Sequence, residues 1–263
     1  MELITSRENQ SVKELTGLLT QKKKRDSRRL FVLEGARLCL DALESGVTIR
    51  AVYITPQSLE LYRDLGDLVD GRCKVVWLHE DLARKISDTK SPQGVFCICE
   101  RLDNPGFADK IKGNGKYLIL DGLQDPGNLG TILRTAQALG VDGAFLCGCP
   151  DVYSPKVLRS AMGGLFRLPF AVEDAAAAVV ARLQKQGVPV YAAALTPHAA
   201  SPGQLDLSGG CCVLIGNEGA GLSPEVIRAC TGSVMIPMAD NANSLNAAAA
   251  AAILLWEMTK NRG

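Results

Sequence analysis

The stretch Ile236-Pro-Met-Ala-Asp-Asn-Ala-Asn-Ser-Leu-Asn246, continued by Ala247 to Ala252 and Ile253-Leu-Leu-Trp256, decides how the rest of the chain is read. Ser233 to Ile236 reads as an apolar strand. It runs into a polar loop carrying Asn241, Asn243, Ser244 and Asn246, and the loop opens a helix predicted over 244–259. Six consecutive alanines favour helix because alanine gives up no side-chain entropy on folding. They also leave the helix thin, so that other backbone can pass close beside it. Two readings stand here: an alanine-rich helix buried in a crowded α/β core, and a helix bordering a ligand site.

The segments before this stretch alternate. Strands are predicted at 117–120, 143–147, 188–194, 212–215 and 233–236, with helices at 129–139, 155–162, 173–186 and 224–230 between them. Ser154-Pro155 and Ser223-Pro224 suit helix starts. A similar alternation fills the N-terminal part: helix 9–24, strand 30–33, helix 36–44, strand 50–54, helix 56–69, strand 74–78, helix 80–87 and strand 94–99. Leu102 to Gly115 is dense in Gly, Pro, Asn and charge and reads as a boundary. The expectation is two α/β domains, 1–105 and 106–263.

Composition bounds the rest. With 47% hydrophobic, 22% charged and 5% aromatic residues, the 263-residue chain can bury a sizeable core. No run reaches the ~18 apolar residues of a membrane span, and the start has no apolar signal region, which predicts a cytoplasmic chain. Nine cysteines are spread along it beside only two histidines, His79 and His198, so the cysteines read as reduced thiols and no zinc spacing is completed. Lys plus Arg (29) nearly balances Asp plus Glu (28), but Gln21 to Arg29 holds six basic residues in nine positions. That run reads either as a solvated helix end or, against an RNA partner, as phosphate contacts from Lys22, Lys23, Lys24, Arg25, Arg28 and Arg29.

Three loops follow strand ends, where open α/β sheets bind ligands. The first is Asp121-Gly-Leu-Gln-Asp-Pro-Gly-Asn128-Leu-Gly130-Thr-Ile-Leu-Arg134-Thr-Ala136, in which Asn128 is placed to cap a helix and Arg134 to add a cation one turn above an anion-favouring helix start. The second, Gly216-Asn217-Glu218-Gly219-Ala-Gly221-Leu222, has three glycines in six residues and permits a close turn, yet lacks both the phosphate-loop lysine and the dinucleotide glycine order. The third is the stretch quoted first.

Asn128-x-Gly130-x-x-x-Arg134-x-Ala136, Gly216-Asn-Glu-Gly-x-Gly-Leu222 and Ile236-Pro-Met238 with Ser244-Leu-Asn246 together resemble the three motifs of the SpoU (TrmH-type) RNA 2′-O-ribose methyltransferases of the SPOUT superfamily. Ile4-Thr-Ser6, Val12-Lys-Glu-Leu15, Phe31-Val-Leu-Glu-Gly35 and Ser91-Pro-Gln-Gly94 resemble the ribosomal-protein-like RNA-binding domain that often precedes such a catalytic domain. The resemblance implies a trefoil-knotted α/β catalytic domain that binds S-adenosylmethionine and works as a homodimer on RNA. Ribosomal RNA is the expected substrate and transfer RNA the alternative. It implies donor contacts from Gly216, Asn217, Gly219, Ile236, Met238 and Leu245, and acceptor or catalytic roles for Arg134, Glu218, Asn128, Ser244 and Asn246. Arg134 is then a clamp on phosphate or developing alkoxide, since guanidinium resists deprotonation, and Glu218 orients it or takes the proton. Ala247 to Ala252 would pack the knot, so that a bulky Ala249→Leu change harms folding. A fold-retaining RNA-binding protein without the reaction and a nucleotide-cofactor enzyme on an open sheet are the competing classes.

Overall fold

The computed structural model describes residues 3–69, 73–102, 105–239 and 244–260; Asn241 and Asn243 lie outside them. Contacts divide the chain into two units, Met1–Leu102 with Tyr153–Phe166, and Asp103–Val152 with Arg167–Gly263. The segment 153–166, which sequence reading leaves in the second domain, therefore packs with the first. The reason is Tyr153, fully buried with its ring 4.9 Å from that of Phe31 and its hydroxyl accepting from Leu102 N at 2.8 Å.

The first unit is built on strands β1 (Leu30–Glu34), β2 (Ile49–Ile54), β3 (Lys74–Trp77) and β4 (Val95–Glu100), in the order β1-β4-β2-β3. Strand β4 runs antiparallel to β1 and β2, and β3 is parallel to β2. Alternate residues Val32, Ala51, Tyr53, Phe96 and Ile98 join Val12, Leu15 and Leu18 of the first helix in one core. Phe31, Leu33, Val52, Cys97 and Cys99 are buried as well, so these strands read as unbroken apolar runs.

The Phe31–Gly35 and Ser91–Gly94 stretches meet there. Gly35 N donates to Val95 O at 2.9 Å, Ala36 N to Gln93 Oε1 at 2.8 Å, and Ser58 Oγ to Gln93 O at 2.6 Å. Gly94 has φ +64°, and a Cβ there would come within 2.5 Å of Ser58 Oγ. Both stretches thus hold the sheet to its helices.

The predicted helix 9–24 is two helices, Gln10–Thr20 and Lys22–Arg28, broken at the extended Gln21. Arg25 explains the break. It is buried and its Nη1 donates to Leu18 O at 2.6 Å and Leu19 O at 3.1 Å, meeting carbonyls that the end of the first helix leaves open. The predicted helix 56–69 is likewise divided, into Pro56–Leu61, a 3₁₀ turn Arg63–Leu65 and a last turn Gly66–Val69.

The second unit is a six-stranded, wholly parallel sheet: β5 (Lys116–Asp121), β6 (Gly143–Cys147), β7 (Phe170–Glu173), β8 (Val190–Ala193), β9 (Cys211–Ile215) and β10 (Gly232–Val234), in the order β10-β8-β9-β5-β6-β7. Strand β7 is absent from the sequence reading, which has a helix starting at 173. It is four residues long, follows Pro169 and lies at the sheet edge, so its residues carry no alternation long enough to read. Strands β9 and β5 are neighbours, which brings the first two candidate loops together at their C-terminal ends. No helix among the described residues is long and apolar enough to cross a membrane.

Candidate active site

The first loop starts its helix earlier than expected. The helix is Pro126–Ala138 with Asp125 as its cap, accepting from Asn128 N at 2.9 Å, and Pro126 at the first position. Asp-Pro is a strong start because the carboxylate takes a free N–H while proline has none to satisfy. Two corrections follow. Asn128 does not cap this helix, and Arg134 lies eight residues beyond Pro126, about 12 Å along the axis and out of reach of the first turn.

The first turn is not an open anion site either. Glu218, from the second loop, accepts from Gln124 N at 2.9 Å, Asp125 N at 3.2 Å and Asn128 Nδ2 at 3.0 Å. Burial pushes the Glu218 carboxyl up, but the hydrogen bonds from Asn128 and the backbone around it outweigh burial and hold the group below its ordinary value.

Asn128, released from capping, joins all three loops. Its Oδ1 accepts from Asn246 Nδ2 at 3.1 Å, while Asn246 Oδ1 caps the last helix, Ala247–Thr259, accepting from Ala248 N at 2.8 Å. One hydrogen-bonded chain therefore runs Asn246, Asn128, Glu218 and back to the Gln124–Asp125 backbone. Asn217 adds a second tie: Nδ2 donates to Gly122 O at 2.7 Å and Oδ1 accepts from Gly219 N and Ala220 N at 2.9 and 2.8 Å, closing the glycine turn.

Beside this network lies a half-open pocket of about 470 Å³. Asn217, Gly219, Ile236, Met238 and Leu245 line it, as do Glu218 and Ser244; Gly216 leads into its turn. Ala194 and Leu195 line it too, from the loop after β8. Sequence reading missed these two because small apolar residues carry no chemical signal; only the placement of β8 beside β9 and β10 brings them there. The pocket is mostly apolar with a few polar groups from turns, which suits an adenosyl ligand with an aliphatic tail.

Arg134 faces elsewhere. It is exposed in a groove with Thr131, Thr135, Ala138, Leu139, Ala252 and Trp256, and makes no ion pair among the described residues. The last helix is not packed on every side. Of Ala247 to Ala252 only Ala251 is buried, together with Leu254, Leu255 and Met258, whereas Ala249, Ile253 and Trp256 form an exposed stripe at helical spacing. The expectation that Ala249 is enclosed is thus corrected: a one-helix stripe faces the core and the opposite one is open.

Burial pushes the thiols near the sheet's C-terminal edge up, Cys147 to about 12 and Cys149 to about 11, so neither is a thiolate nucleophile at neutral pH. In the first unit, Lys22, Lys23, Arg28 and Arg29 are exposed. Arg25 is turned inward as described, and Lys24 Nζ donates to Lys13 O at 3.0 Å, so these two are committed to the fold rather than offered to a partner.

The SpoU rRNA Methylase family profile matches residues 115–256, and that of the MRM3-like substrate binding domain matches residues 9–97. The chain is 34% identical over 259 residues to the 23S rRNA (guanosine(2553)-2′-O)-methyltransferase RlmP of Bacillus subtilis, covering 98% of this chain and 99% of the relative. It is 32% identical to the 23S rRNA (uridine(2479)-2′-O)-methyltransferase of Streptomyces viridochromogenes, covering 98% and 92% of the two. Among solved structures it is similar to the AdoMet-bound rRNA methyltransferase of Sinorhizobium meliloti, with a TM-score of 0.85, 34% identity and coverage of 99% and 98%. With its parallel sheet, its three linked loops and these full-length similarities, the chain belongs to the SpoU rRNA methylase family.

Proposed function

We propose that this protein transfers the methyl group of S-adenosylmethionine to a ribose 2′-hydroxyl of ribosomal RNA, in the cytoplasm, with the first unit holding the RNA. The observation that carries the reading is the Asn246–Asn128–Glu218 network beside the pocket of Ile236, Met238 and Leu245. Bound there, the donor supplies an electrophilic methyl carbon on a sulfonium. The protein's task is then to align a weakly acidic hydroxyl and stabilise the charge that develops on its oxygen.

Arg134, which faces away from its own chain's donor pocket, would meet that charge at the pocket of a second copy: it is a permanent cation whose guanidinium matches phosphate or alkoxide oxygen. Glu218 serves as a positioning residue. A carboxylate already held by three donors and kept below its usual range is a poor acceptor for a hydroxyl proton. Its role is to lock Asn128 and the start of the Pro126–Ala138 helix, with Ser244 at the pocket wall between donor and acceptor sides. The two quantified relatives act on a guanosine and a uridine at similar identity, so overall likeness does not carry the choice of nucleotide.

The test is incubation with methyl-labelled S-adenosylmethionine and unmodified large-subunit ribosomal RNA, followed by digestion to nucleosides. Label in a 2′-O-methylnucleoside is expected. Label confined to bases, or none above a no-enzyme control, would reject the reading.

A second copy of the chain belongs to the same reading. The stripe of Ala249, Ile253 and Trp256 is exposed to 40% at Ile253 and 56% at Trp256 and borders the Arg134 groove, so a partner there would cover apolar surface and enclose the cation. Sedimentation at micromolar concentration is expected to give a dimer, and Trp256→Asp a monomer. A wild-type monomer under those conditions would remove the dimer from the proposal. The trefoil knot is proposed on the same footing, from membership of the family alone.

A further inference from the structure

The first unit has a concave feature of its own, at one end of its sheet. Strand β1 begins there, β4 ends there, and Leu30 pairs with Glu100 across them while Arg101 N donates to Arg29 O at 3.1 Å. Arg28, Arg29, Arg50, Glu100 and Arg101, with Leu30, line a half-open notch of about 560 Å³. Four arginines and one glutamate thus line it, and Asp26 pairs with Arg101 beside it. Arg50 is not in the basic run; it comes from β2, 21 residues beyond Arg29, and only the sheet brings it alongside.

The arrangement is held firmly. Arg101 lies 4.6 Å over the Tyr153 ring and pairs with Asp26 at 2.9 Å, which fixes one wall. Arg50 pairs with Glu100 on the other wall, and Arg28 makes no ion pair among the described residues. Arg29 takes φ 54° and ψ 37°, a left-handed conformation that only one other non-glycine described residue adopts. That position commonly falls to glycine at a helix end. Here it carries a guanidinium and turns the chain so that Arg28 and Arg29 both border the notch.

We infer that this notch, rather than the lysine run Lys22–Lys24, is where the first unit grips the RNA sugar-phosphate backbone. The inference rests on the proposed function, in which that unit holds RNA. Converging guanidinium forks suit successive phosphates because each can give two parallel hydrogen bonds. A concave cluster also concentrates positive potential more than an extended, solvated run does. Glu100 then acts as an internal competitor that phosphate displaces from Arg50, limiting grip on polyanions in general.

The test measures binding of the full-length protein to transcribed large-subunit ribosomal RNA across a salt series, with no turnover required. Arg28→Gln/Arg50→Gln is expected to weaken binding about tenfold near 0.2 M salt and to flatten the log-log salt slope by about 2. Glu100→Gln is expected to tighten binding about threefold, the opposite sign from a structural lesion at the same place. Donor binding by calorimetry, unchanged in all variants, reports that the second unit is intact. If Lys22→Gln/Lys23→Gln flattens the slope while the arginine pair does not, the notch is overturned and RNA binding by the first unit stands. If neither pair changes binding, both are overturned.

Discussion

Alanine in place of Arg134 is expected to lower methyl-transfer turnover about 10²–10³-fold at saturating donor, with donor affinity and thermal unfolding unchanged. The separation follows from placement: Arg134 is exposed in a groove away from the residues lining the donor pocket, so its removal uncovers no core and deletes no donor contact. Arg134→Lys keeps the charge but not the fork, and is expected to recover part of the turnover at every pH. Glu218→Gln should behave differently. It replaces one of the two acceptor oxygens by an amide NH₂ that faces donors, so either the Gln124 N contact or those of Asp125 N and Asn128 Nδ2 are lost.

Unfolding temperature and turnover should therefore fall together in Glu218→Gln. A loss of turnover without any loss of stability would return Glu218 to the role of proton acceptor. The pH dependence separates these roles too. With its folded value below the ordinary 4.5, Glu218 contributes stability that is fully present above 4.5 and is lost as pH falls through the lower value. It stays ionised from pH 6 to 9, so a change in turnover across that range belongs to another group.

Gly216→Ala is expected to abolish measurable donor binding and to destabilise the protein by about 1–3 kcal/mol, a shift of several degrees in unfolding temperature. A Cβ at Gly216 would sit 2.7 Å from both the carbonyl carbon and oxygen of Gly221, and 2.7 Å from Leu222 Cγ. Backbone cannot rotate out of the way as a side-chain end can. Asn217 and Gly221 are also tied by reciprocal hydrogen bonds of 3.1 and 3.0 Å, so the turn that lines the pocket would have to open. Gly219→Ala is the control: its Cβ meets nothing closer than Asn217 Oδ1 at 3.6 Å, and it should fold normally. Equal behaviour of the two variants would show that the turn yields more easily than its geometry implies.

Much of the second unit was legible in its residues. Parallel strands covered on both faces keep near-continuous apolar runs such as Cys211 to Ile215, and the polar and glycine-rich stretches after β5 and β9 and before the last helix stand out against them. What escaped depended on distant partners. Asn128 reads as a cap until Asp125 is seen to hold that place, and then its contacts with Glu218 and Asn246, 90 and 118 residues away, define it. Arg25 reads as one cation among six until the carbonyls of the preceding helix claim it. The alanine helix reads the same on all sides because alanine has no polarity to distinguish a core face from an open one; only its neighbours do.

The passage of the chain through the first unit bears on modularity. A recombination event or a designer copying residues 1–102 as a cassette would leave behind Tyr153–Phe166, and with it the ring that packs against Phe31 and underlies Arg101. Transplanted alone, the unit would carry an uncovered aromatic patch and a loosened notch wall. Chimeras that exchange substrate specificity between relatives of this protein should therefore trade two separate segments at once, and single-crossover hybrids should be the ones that aggregate.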